Sequence, residues 1–162
     1  MRYYLDCEFN GMGGELISLA LVREDGPYMY LADDHYLQFV EWSTRSEVCS
    51  PEIDSWVWRN VLPLLGARGG APPTWIEMDD FGSYLESFLR GDEDIIIITD
   101  WPDDIKYFCE RLITGPGQMI SIPGIKFEMH RVDAYPTKML GALQHSALSD
   151  ARALYYKLQG GA

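Results

Sequence analysis

Tyr3-Tyr4-Leu5-Asp6-Cys7-Glu8-Phe9 is the stretch on which the fold turns. It is rich in β-formers and closes on Asn10-Gly11, with Gly13-Gly14 just beyond, so it predicts a strand ending in a turn. Alternate side chains on a strand face opposite ways. Asp6 and Glu8 therefore share one face, and Leu5, Cys7 and Phe9 share the other. Two carboxylates side by side repel each other and are costly to desolvate. On a solvated face they would be ordinary surface acids. On a covered face a divalent cation between them would offset the cost.

Outward from this strand, 15–22 is a second apolar run, carrying Leu16-Ile17-Ser18-Leu19-Ala20-Leu21-Val22. Asp25-Gly26-Pro27 is a turn, and Tyr28-Met29-Tyr30-Leu31 is a third strand. Connections this short favour antiparallel pairing. A helix is predicted over 51–65, limited by Pro63, then a loop over 66–73 and a helix over 79–89 with Phe81, Leu85, Phe88 and Leu89 at helical spacing. Ile95-Ile96-Ile97-Ile98-Thr99 suits a strand covered on both faces. A helix over 101–113, a short strand over 119–122 and a last helix over 147–158 follow. A meander followed by alternating helices and strands implies an α/β fold with one mixed sheet flanked by helices, in a single domain over 1–162.

Composition sets outer bounds. The 162 residues are 47% hydrophobic, as in globular proteins. The longest apolar run, 95–98, is far too short to span a bilayer, and the first residues do not resemble a signal peptide. Cys7, Cys49 and Cys109 have no paired spacing, so a disulfide framework or zinc-thiolate site is not expected and a cytoplasmic setting is. The net charge of −12 argues against a broad nucleic-acid-binding face, because phosphate affinity rests on Lys and Arg. Bound divalent cations would offset part of that charge locally.

Two further segments carry polar residues on apolar stripes. After the 95–99 strand come Asp100-Trp101-Pro102-Asp103-Asp104. Asp100 is placed as helix N-cap, and Asp103 in the first turn, where a carboxylate favours the positive helix end. Asp104 lies three residues from Trp101 and four from Phe108, on the inward stripe, where an acid needs a partner such as a metal. Asp103 stays open as the alternative ligand. In the last helix, Asp150 falls on the stripe of Ala147, Ala151, Leu154 and Leu158. His145 lies five residues before Asp150, about 140° away on an ideal helix, so the two can share a site only if His145 sits in the loop ahead of the helix.

The ordered set resembles the DEDDh 3′–5′ exonucleases: D-x-E on a first strand, an Asp entering a helix after a buried strand, and H-x4-D opening the last helix. That superfamily includes ribonuclease T, oligoribonuclease and polymerase proofreading subunits. The resemblance runs from Leu5-Asp6-Cys7-Glu8-Phe9 to His145-Ser146-Ala147-Leu148-Ser149-Asp150. Glu15-Leu16-Ile17-Ser18 and Ser55-Trp56-Val57-Trp58-Arg59-Asn60-Val61-Leu62-Pro63 look like the bacterial RNase AS-like exoribonuclease branch. The resemblance implies a ribonuclease-H-like fold. It implies two Mg2+ or Mn2+ ions held by Asp6, Glu8, Asp104 and Asp150, with His145 as general base. It further implies hydrolysis from the 3′ end of single-stranded nucleic acid, RNA more than DNA, and by analogy a homodimer. Where many members carry Asn-x-x-Phe before the third acid, this chain has Asp100-Trp101-Pro102-Asp103. Phe9, Asn10, Met12 and Trp101 are the candidate contacts for the terminal nucleotides, Asn10 as a reader of the ribose. Arg59, Arg68 and Arg131 are candidates for upstream phosphate. The competing classes are a metal-dependent nucleotidase or phosphatase acting on small substrates, and an inactive binding domain of the same fold.

Overall fold

A computed structural model describes residues 1–66, 71–131 and 144–160. β1 (Arg2–Phe9), β2 (Leu16–Arg23) and β3 (Tyr28–Asp33) form the expected antiparallel meander. β4 (Thr74–Ile76) runs parallel to β3 at one edge. On the other side of β1, β5 (Ile95–Thr99) and β8 (Ile125–Met129) continue the sheet in parallel. The order is β4-β3-β2-β1-β5-β8, so β1 is central, with an antiparallel neighbour on one side and a parallel one on the other.

The alternation of β1 divides the core. Tyr3, Leu5 and Cys7 join Leu19, Leu21, Ile95 and Ile97 on one face, covered by α4 (Phe81–Leu89) and α5 (Pro102–Leu112). Tyr4 joins Ala20, Val22, Tyr30 and Ile98 on the other. That face is covered by α1 (Leu37–Ser43), α2 (Ser55–Asn60), α3 (Leu62–Leu65) and α6 (Ala147–Leu158). Two helical layers thus enclose a mixed sheet. Asp6 and Glu8 continue the Tyr4 face beyond the apolar packing, toward the C-terminal end of β1. No helix among the described residues is long and apolar enough to cross a membrane.

Several expectations are corrected in detail. The helix expected over 51–65 is two helices. Asp54 starts α2, its carboxylate accepting the N–H of Trp56 (2.8 Å) and Val57 (3.2 Å). The break falls at Val61, because Pro63 has no N–H to return to the Arg59 carbonyl and instead opens the first turn of α3. The strand expected over 119–122 reduces to β7 (Gln118–Met119), paired with β6 (Ile113–Gly115) in a separate hairpin. The sheet strand in this region is β8, whose Ile-Lys-Phe-Glu-Met alternation carries the signal of a half-exposed strand. The helices expected from 79 and 101 begin at Phe81 and Pro102. Residues 67–70, within the loop expected over 66–73, lie outside the described set.

Candidate metal centre and catalytic site

The site forms where the parallel pair β1 and β5 ends, the edge at which open α/β sheets collect ligands. β1 contributes Asp6 and Glu8. The turn from β5 into α5 contributes Asp100, and the first turn of α5 contributes Asp104. The loop before α6 and its first turns contribute His145 and Asp150. All six line one cavity of about 690 Å3.

Asp104 is only 1% exposed, and both of its oxygens are held. The Cys7 backbone N–H donates to Oδ1 (3.2 Å), and the Thr99 hydroxyl donates to Oδ2 (2.6 Å). Thr99 Oγ1 in turn accepts the Trp101 N–H at 3.2 Å. The carboxylate is thus fixed to β1 and β5 at once. Asp103 takes the other route, accepting the Trp101 indole N–H at 3.2 Å. Of the two neighbouring acids, Asp104 points inward and Asp103 sits at the rim.

Asp100 is not the helix cap. Pro102 is the first residue of α5, and a residue before proline is driven to extended backbone, so Trp101 takes the cap position at φ −127°, ψ 131° without a side-chain bond. Asp100 lies one residue too early to cap and turns into the cavity. One carboxylate oxygen each from Asp6, Asp100 and Asp104 lie within 4.8 Å of one another. A second group has the same spacing: one oxygen each from Glu8 and Asp150, and a ring nitrogen of His145.

His145 does lie in the loop ahead of α6. It is a non-glycine residue at φ +68°, a left-handed conformation that costs energy unless the surroundings hold it. Two contacts do so. Its backbone N–H donates to Asp150 Oδ2 at 2.8 Å, and its ring meets Trp56 edge to face, centroids 4.7 Å apart at 81°. Asp150 is 8% exposed, and its Oδ1 is buried with no hydrogen-bond partner among the described residues. The neighbouring Ser146 N–H also favours the ionised Asp150, and a cation would do so further.

The electrostatics agree. Desolvation, followed by the charges of Asp104, Asp150 and Glu8, holds Asp6 well above the ordinary carboxylate range. Desolvation and then Asp150 and Asp104 do the same to Glu8. Burial raises Asp104 to about 8, opposed by the Thr99 hydroxyl, and raises Asp150 to about 7, opposed by the His145 N–H. Burial lowers His145, which favours its neutral, proton-accepting form. Protons or cations must therefore compensate these acids near neutral pH.

The candidate nucleotide contacts divide. Met12 is fully exposed at the tip of the turn after β1, and Trp101 is about half exposed; both line the cavity. Phe9 lines it too, but its ring stacks on Tyr107 at 5.0 Å. Asn10 is committed elsewhere. Its amide donates to the Glu52 carbonyl and accepts the Asp54 N–H, both at 2.8 Å, tying the end of β1 to the start of α2. That turn requires glycine at 14, where a Cβ would fall 1.9 Å from the Asn10 carbonyl oxygen. Trp56, half exposed at the cavity wall, went unmarked because nothing in α2 alone shows which neighbour its outer face meets. No lysine or arginine lines the cavity among the described residues. Arg59 borders a separate concavity beside Trp58, and Arg68 lies outside the described residues.

In comparisons with known proteins, no protein-family model and no curated protein matches this chain.

Proposed function

We propose that this chain is a divalent-metal-dependent 3′–5′ exonuclease of the DEDDh type on a ribonuclease-H-like fold, acting on single-stranded nucleic acid and on RNA in preference to DNA. The observation that carries the proposal is the convergence of Asp6, Glu8, Asp104, Asp150 and His145 on one cavity. The donor set fits Mg2+ or Mn2+: the carboxylate oxygens are hard ligands, with Asp6 and Asp104, and Glu8 and Asp150, each offering oxygens within 4.8 Å of one another, which leaves the His145 ring as base. When bound, two such ions would offset the charge of the acids and of the substrate phosphate in an in-line displacement.

The chain's own residues supply the rest. Neutral His145 accepts the proton of the attacking water at a ring nitrogen, and the Asp150–His145 bond and the Trp56 ring set where that nitrogen stands. The terminal nucleotides stack on the rim formed by Met12, Trp101 and Trp56, with Phe9 as floor. Thr99 and the Cys7 N–H hold Asp104 in one rotamer through the cycle. The products are 5′-monophosphate nucleotides.

The test is digestion of 5′-labelled single-stranded RNA, single-stranded DNA and 3′-overhang duplexes, with Mn2+ and with chelator. A ladder shortening from the 3′ end, lost in chelator, supports the reading; intact substrate under all conditions overturns it. One observation favours a second reading. A cavity with no lysine or arginine among its described residues also suits small substrates, as in a nucleotidase. Release of inorganic phosphate from mononucleotides, with oligonucleotides untouched, would select that function.

A further inference from the structure

We infer that Tyr30 is a positioning residue: its hydroxyl, reaching from β3, links Ser18 on β2 to Ser146 at the start of α6, and so sets where His145 stands relative to the strand that carries Asp6 and Glu8. This deepens the proposed function and rests on it for the role of the base.

The register of the meander brings the three hydroxyls together. Residues directly opposite on antiparallel strands share a face. Ser18 is opposite Glu8, and Ala20 is opposite both Asp6 and Tyr30. Tyr30 is therefore diagonal to Ser18, on the face that carries both acids, at a separation a long side chain can span. Ser146 meets the same face as the residue between His145 and the first turn of α6. A serine at a helix start ordinarily turns its hydroxyl back onto the first N–H groups. Ser146 makes no such bond. Its backbone carbonyl accepts the Asp150 N–H at 2.9 Å, and the residue is 1% exposed.

Ser18 is wholly buried and Tyr30 nearly so. Burial raises the Tyr30 phenol above its ordinary range, and the nearby Ser146 and Ser18 hydroxyls act against that rise. These contacts fall outside ordinary hydrogen-bond geometry, and no other described residue pairs with the three oxygens. Buried hydroxyls are costly without partners, and each can donate and accept, so these three have one another. Their place in the fold gives the linkage its consequence. Ala147, Ala151 and Leu154 hold α6 to the sheet through apolar contact, which is non-directional. A polar tie fixes position. The far end of α6 has one, where Gln159 Nε2 donates to the Tyr4 hydroxyl at 3.1 Å. Tyr30 supplies the tie at the near end, beside the base.

The experiment reads His145 directly, through the imbedded imidazole's proton resonances in the metal-free chain. The Trp56 ring, with its centroid 4.7 Å away, is expected to displace them, and His145→Ala identifies them among the three histidines. Tyr30→Phe is expected to lose most of that displacement. Tyr4→Phe, which cuts only the far tie, is expected to keep it. With Mn2+ and a 5′-labelled oligonucleotide, Tyr30→Phe is expected to lower kcat about 10–100-fold and to leave KM within about twofold. Ser146→Ala is expected to do the same, and the double variant to be no worse than either single one, because both cut one linkage. Melting in chelator verifies that each variant folds, and Ser146→Ala carries the test if Tyr30→Phe does not. Unchanged His145 resonances in folded Tyr30→Phe, or losses that add in the double variant, overturn the inference and leave the proposed function standing. A wild type that cleaves no oligonucleotide overturns the proposed function, and the resonances still decide whether Tyr30 places His145.

Discussion

Asp104→Asn offers a quantitative test of the acid cluster, because it removes one charge and almost no structure. An asparagine Oδ1 can still accept the Cys7 N–H. Its Nδ2 can donate to Thr99 Oγ1, whose own proton can turn to the Trp101 carbonyl 3.2 Å away. What changes is the cost of ionisation. The carboxyl is raised from an ordinary 3.8 to about 8, first by burial and then by Asp100. The folded state therefore holds a proton that the unfolded chain has released, and metal-free stability falls as pH climbs through that window. At about 1.36 kcal/mol per pH unit the ceiling on that loss is roughly 6 kcal/mol. Asp6 and Asp150 share the same field, so relieving one charge lets the others ionise more easily. The net gain expected for the variant at pH 8 is about 1–3 kcal/mol, or a few degrees up to about 10 °C in melting temperature. Melting in chelator at pH 8 and again near pH 4 is the assay. The gain should shrink toward zero at the lower pH, where the wild-type carboxyl is neutral as well. A variant less stable than wild type at pH 8 in chelator would refute the claim that these acids are mutually strained without cations.

Further outcomes follow from the same geometry. Mn2+ at about 100-fold its dissociation constant should stabilise the wild type by roughly 2.7 kcal/mol, and Asp6→Ala should abolish the rise in melting temperature; no rise in the wild type would remove the metal centre. His145→Ala should keep Mn2+ binding while losing about 10²–10⁴ in turnover, measured on a 5′-labelled oligonucleotide; full activity would exclude His145 as base. Because burial lowers the imidazole pKa, the acid limb of the rate profile should lie below the ordinary value of 6.5. Asn10→Ala should cost about 1–2 kcal/mol of stability by freeing the Glu52–Asp54 loop, and should slow RNA and DNA cleavage alike; a loss confined to RNA would make Asn10 a reader of the ribose instead.

The elements legible in the sequence were those whose local pattern matches their final environment. The alternation in β1, the four isoleucines of β5 and the apolar stripes of α4, α5 and α6 each state a burial that the fold provides. The same facing rules placed Asp6, Glu8, Asp104 and Asp150 inward. The misses have a common cause, namely competition between neighbours. Pro63 could end one helix or begin the next, and the packing of α3 decided. Asp100 had good N-cap chemistry, but the backbone constraint imposed by Pro102 moved the cap one residue on. β4 has three residues, too few for periodicity to register. The ties of Asn10 to the 52–54 loop and of Trp56 to His145 were not legible because those partners lie far along the chain, and no local pattern encodes those meetings.

The division of the site between β1, the β5–α5 turn and the start of α6 also bears on how the protein comes into being. A ribosome delivers Asp6 and Glu8 early, Asp100 and Asp104 later, and His145 and Asp150 after almost all the rest of the described chain. Until Ala147, Leu148, Ala151 and Leu154 close over the Tyr4 face of the sheet, neither His145 nor Asp150 is in place. A chain synthesised only as far as Met129 has the β1 and β5 sides of the cavity but not the side that the start of α6 supplies.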